Sequence, residues 1–74
     1  MIPRIDAKAT GKNIKELMAC TGTTKDEIRL WCEISLQTFY DWTSGRRVPS
    51  TKNLLILSWL FGCKVDDIIA VAYG

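Results

Sequence analysis

The chain has 74 residues, 47% apolar and 24% charged, with a formal net charge of only +2. A chain of this length makes one small domain that buries roughly 60 to 65% of its unfolded surface, and its balance is too apolar for a disordered protein and too weakly basic for a histone-like polycation. Its 3 cysteines, widely spaced and without any histidine, argue against a zinc site or a disulfide framework.

In chain order, residues 1–9 read as a partly ordered N-terminal arm before a single domain over 10–72. The arm begins Met1-Ile-Pro-Arg-Ile-Asp6 and shows no apolar signal region, so a cytoplasmic protein is expected. A first helix is predicted from about Thr10 or Gly11 to Cys20, with Ile14, Leu17 and Met18 as its apolar stripe and Lys12, Lys15 and Glu16 on the opposite face. Thr24 followed by Glu27 is a capping box that starts a second helix, running to about Cys32 with Ile28 and Cys32 inward.

Ser35 can cap a third helix from Leu36 to about Thr43, in which Phe39 and Trp42, three apart, share a buried face. Leu36, Gln37, Tyr40 and Asp41 are left free. Gly45 permits the left-handed turn that ends this helix, and Arg46 and Arg47 follow in the loop. Pro49 and Ser50 mark a fourth helix with Leu54, Leu57, Ser58 and Phe61 inward, ended by Gly62. Its apolar run, Leu54 to Phe61, is far too short to span a bilayer. A fifth helix is predicted over about Val65 to Ala72, with Asp66 and Asp67 at the positive end of its dipole and Ile68 and Ile69 in the core. No strand pattern or repeat is evident. Each of Cys20, Cys32 and Cys63 lies in or near an apolar helical stretch and reads as a small buried hydrophobe in a reducing compartment.

Charge is unevenly spread. Arg4, Lys8, Lys12, Lys15 and Lys25 outnumber Asp6 and Glu16 in the first third, and Arg46, Arg47, Lys52 and Lys64 meet no acid between positions 46 and 64. Asp26, Glu27, Glu33 and Asp41 lie between these basic stretches, which a fold could gather on one face.

These pieces together resemble the Cro- and phage-repressor-like helix-turn-helix family, also called the XRE family of bacterial and phage regulators. The resemblance spans roughly residues 10–70. It rests on Gly11-Lys-Asn-Ile-Lys-Glu-Leu17, Thr24-Lys-Asp-Glu-Ile28, Ser35 through Trp42, Gly45-Arg-Arg-Val-Pro49, Asn53-Leu-Leu-Ile-Leu-Ser58 and Asp66-Asp-Ile-Ile69 in that order. It implies an all-α, compact five-helix domain that binds operator DNA, usually as a homodimer, with its third helix in the major groove. It implies base reading by Leu36, Gln37, Tyr40 and Asp41. Phosphate contacts are implied for Lys25, Thr38, Arg46, Arg47 and Lys52, aided by backbone amides near Thr51. Departures from the pattern are Asp41, where relatives usually have a base or an amide, Glu33, where many have glycine, and Arg29, where a small residue is common.

The chemistry of these side chains is independent of the resemblance. The Gln37 carboxamide can pair with adenine N6 and N7, a contact worth roughly 1–3 kcal/mol of discrimination. Leu36 can only pack on a thymine methyl, and Tyr40 offers a hydroxyl to a phosphate or a base edge. Asp41 repels phosphate unless it accepts a hydrogen bond from the cytosine N4 amino group or pairs with a neighbouring arginine. Arg46 and Arg47 supply salt-sensitive affinity for phosphates.

Trp31, Ile56 and Trp59 fall outside the inner stripes. Ile56 and Trp59, three apart, form either a dimer or partner surface or a patch that the tail covers through Val71 and Tyr73. Two functions therefore compete. One is a sequence-specific, double-stranded DNA-binding transcriptional regulator; the other is a protein-interaction module on the same scaffold, of antitoxin or anti-repressor type. No enzyme and no cofactor are expected, because the chain lacks histidine, a paired-carboxylate constellation and a phosphate-cradling glycine-rich loop.

Overall fold

The computed structural model describes residues 1–74, and the chain is mostly helical. Strand β1 (Pro3–Ile5) precedes helices α1 (Ala7–Thr21), α2 (Lys25–Cys32), α3 (Leu36–Ser44), α4 (Thr51–Phe61) and α5 (Val65–Ile68), and strand β2 (Val71–Tyr73) closes the chain. No helix is long and apolar enough to cross a membrane.

Five helices form, as the punctuation predicts, and most boundaries follow local capping chemistry. Thr24 and Glu27 make the reciprocal capping box of α2, with the Glu27 amide 3.1 Å from the Thr24 hydroxyl and the Thr24 amide 3.0 Å from the Glu27 carboxylate. The Ser35 hydroxyl accepts from the Thr38 amide at 3.1 Å, and the Ser50 hydroxyl accepts from Asn53 at 3.3 Å. Each hydroxyl satisfies an orphan donor at a helix start.

Four expectations are corrected. The first helix begins at Ala7 rather than Thr10 or Gly11, because the Asp6 carboxylate caps it by accepting from the Ala9 amide at 3.0 Å. The last helix stops at Ile68 rather than Ala72. Asn13 donates to the Ile68 carbonyl at 3.0 Å, and the buried Thr10 hydroxyl accepts from the Ala70 amide at 3.0 Å. These bonds draw the chain out of the helix and lay it along α1. The freed tail then forms strands where none was expected: β2 pairs antiparallel with β1, Pro3 opposite Tyr73 and Ile5 opposite Val71. Pro3, which has no amide hydrogen to give, is tolerated in so short an edge pair. Lastly, Cys20 is exposed, whereas Cys32 is buried and Cys63 half-buried.

The core joins Ile14 of α1, Ile28 and Cys32 of α2, Phe39 and Trp42 of α3, Leu54, Leu57 and Phe61 of α4, and Ile68 of α5. Leu17, Met18 and Ile69 pack at its margin. Gly11 sets the distance between α1 and α3, since an added Cβ there would collide with the carbonyl oxygens of Trp42 and Thr43. α3 is thereby fixed by its inner face, and its outer face stays in solvent.

Candidate nucleic-acid interface

The turn from α2 to α3 is only Glu33, Ile34 and Ser35. Glu33 caps α2 in the left-handed conformation, at φ 55° and ψ 50°, and no other residue besides glycine has positive φ. The turn is thus the left-handed kind that glycine serves best, built here on a side chain. Ile34 packs against the core below it, and Ser35 restarts the chain as α3.

On α3, Phe39 and Trp42 are buried while Leu36, Gln37 and Tyr40 are exposed, as expected from their spacing. Two small groups organise the exposed side. The first joins Gln37, Asp41 and Arg46: the Gln37 amide nitrogen donates to Asp41 Oδ1 at 3.0 Å, and Arg46 stands 3.9 Å from the same oxygen. The Asp41 side chain is only 16% exposed, against 74% for Arg46. A carboxylate that faced the solvent freely would repel phosphate; this one is covered and paired with a cation.

The second group joins α2 to α3. Lys25 Nζ lies 5.8 Å from the centre of the Tyr40 ring, and that ring meets Phe39 edge-on at 5.7 Å between centroids. Tyr40 is thus steadied by core and cation together. Past the helix, the Arg46 and Arg47 amides both donate to the Asp41 carbonyl, at 2.9 and 3.1 Å, so the loop is tied to the helix end. Gly45, at φ 83°, makes that tie feasible.

Thr38 and Lys52 also have neighbours within the fold. Thr38 is half-buried and its hydroxyl is 3.0 Å from that of Ser35, so it completes the helix cap. Lys52 is on the first turn of α4, where its charge acts on the Cys32 thiol and partly opposes burial, which pushes that thiol up to about 11. The Cys63 thiol is also raised, by burial and by the nearby Asp67 carboxylate.

Ile56 is half-buried and packs against the core, so Trp59 stands with Trp31 instead, their rings edge-on at 5.1 Å. Leu55, four residues before Trp59, is also exposed, and the spacing of exposed residues on α4 is the signal that points to it. These rings stay exposed, and Val71 and Tyr73 pair with β1.

Comparison with protein-family models, with curated proteins and with solved structures returns no match.

Proposed function

We propose that this protein binds double-stranded DNA sequence-specifically and regulates transcription, through a helix-turn-helix formed by α2 and α3 with α3 in the major groove. The observation that carries this reading is the Gln37–Asp41–Arg46 group on the exposed side of α3. One hydrogen of the Gln37 amide is held by Asp41, which fixes which end of the carboxamide is nitrogen and which is oxygen. The second amide hydrogen and the carbonyl oxygen remain for N7 and N6 of an adenine. Arg46 offsets the carboxylate charge and remains exposed for a phosphate. Asp41 thus serves as a positioning residue, and a carboxylate on this face is compatible with DNA.

The resemblance to phage-type repressors supports the same reading, including paired half-sites about one helical turn apart and action as a homodimer. A cytoplasmic protein without catalysis or cofactor belongs to this proposal. Selection from a random duplex pool at stated salt is the test, with enrichment of one site expected. Gln37→Ala should then relax preference at one adenine position by about 1–3 kcal/mol, and Asp41→Ala should relax the same position less. No enrichment, together with no binding at low salt, defeats the reading.

A second reading, a protein-interaction module, is favoured by the Trp31–Trp59 pair, whose residues are 51% and 64% exposed. A partner that stays bound at high salt and buries these rings would support it.

A further inference from the structure

Lys8, Lys12 and Lys15 follow one another on α1 at spacings of four and three, which stacks them in one row. This row walls a concavity of about 540 Å³, and Thr43 and Ser44, in the last turn of α3, form the facing wall. Two backbone approaches hold the walls together: Gly11 lies against the Trp42 and Thr43 carbonyls, and Gly45 against the Lys8 Cα. Asp6 closes one end, but its carboxylate already accepts from the Ala9 amide. Lys12 reaches Glu16 only at 4.0 Å on an exposed surface, and neither Lys8 nor Lys15 has an ion-pair partner. The Thr43 and Ser44 hydroxyls make only long bonds, 3.4 Å each, to backbone carbonyls and can turn to a better acceptor. With three lysines against one carboxylate, the trough carries a net positive field that favours an anion.

Its position identifies the anion. Ser44 follows Tyr40 by four residues, so the exposed stripe of Leu36, Tyr40 and Ser44 runs along α3 directly into the trough. Asp41, with Gln37 and Arg46, lies about 100° around the helix from Tyr40. Thr43, in the trough wall, lies about 60° around the helix from Tyr40 in the opposite sense, so the lysine row and Arg46 stand on opposite sides of the exposed stripe, and a helix in a major groove about 12 Å wide has a phosphate wall on each side. We infer that Lys8, Lys12 and Lys15, with the hydroxyls of Thr43 and Ser44, bind backbone phosphates on one wall of the groove while Arg46 and Arg47 meet the other. This rests on the DNA-binding reading and extends its footprint to α1.

The test is the affinity of the full chain for a mixed-sequence duplex across a salt series, for wild type, for the triple variant Lys8→Gln, Lys12→Gln, Lys15→Gln, and for the matching triple arginine variant. The glutamine variant should bind about tenfold or more weakly at low salt, and its slope of log affinity against log salt should be shallower by about 3, roughly 0.9 for each lysine lost. The arginine variant should retain both. Wild type that binds while the folded glutamine variant matches it in affinity and slope overturns the trough and leaves the DNA-binding reading standing. Wild type that does not bind even at low salt overturns both. Inorganic phosphate that shifts the Thr43 and Ser44 amide resonances, in a protein whose duplex leaves them unmoved, makes the trough a free-anion site and also overturns the inference.

Discussion

A single carboxylate changes meaning once its neighbours are known. In sequence, Asp41 is an acid on the face that should meet a polyanion; in the fold it orients Gln37 at 3.0 Å and holds Arg46 at 3.9 Å. Glu33 is the other residue at odds with its position. Its φ of 55° costs a residue with a Cβ about 1–2 kcal/mol, whereas glycine avoids that cost and loses roughly 0.5–1 kcal/mol in chain entropy. The Glu33 side chain is exposed and forms no ion pair, so little is lost with it. Glu33→Gly should therefore raise stability by about 0.5–1 kcal/mol, a rise of several degrees in melting temperature for a domain of this size. A calorimetric melt that stays level or falls would show that the side chain supports the turn in some other way.

Among the elements, those governed by local chemistry were legible. The starts of α2, α3 and α4 coincide with Thr24, Ser35 and Ser50, and the ends of α3 and α4 with Gly45 and Gly62, because each signal acts within a turn of the helix. The boundaries of α5 and the two strands were not legible, since they depend on partners far away in sequence. Asn13 and Thr10 reach Ile68 and Ala70 across 55 and 60 positions, and no local pattern encodes that. The lysine row of α1 was hidden by an error at one boundary: a helix begun at Thr10 leaves Lys8 outside it, and two lysines alone suggest only a solvated face. Gly11 was legible as a motif residue but not as a spacer. Gly11→Ala gains up to about 1 kcal/mol in helix propensity, yet its Cβ would strike two backbone carbonyls of α3, which cannot move aside as a side chain could. The collision should win, with a net loss of about 1–3 kcal/mol in urea unfolding; unchanged or greater stability would mean that α1 and α3 can separate cheaply.

For the whole molecule, the two sides have unlike character. The outer side of α3 is flanked by cations, whereas α2 and α4 together expose Leu30, Trp31, Leu55 and Trp59, between 51% and 72% accessible. Two tryptophans set edge-on at 5.1 Å form a preorganised apolar surface, and large aromatic rings in that state are typical of the centre of an interface. The molecule measures 37 × 24 × 20 Å, and half-sites one turn apart are about 34 Å centre to centre. Two copies on one face of DNA can therefore touch if their long axes lie along the duplex, and a shared apolar surface would then couple their binding. Trp59→Lys places a charge beside Trp31 and should weaken self-association in sedimentation velocity. On a duplex with paired half-sites it should lower cooperativity and leave affinity for a single half-site near wild type. A wild-type protein that stays monomeric at every concentration and binds paired sites without cooperativity would remove the interface, and with it the reason for two exposed indoles to be held together.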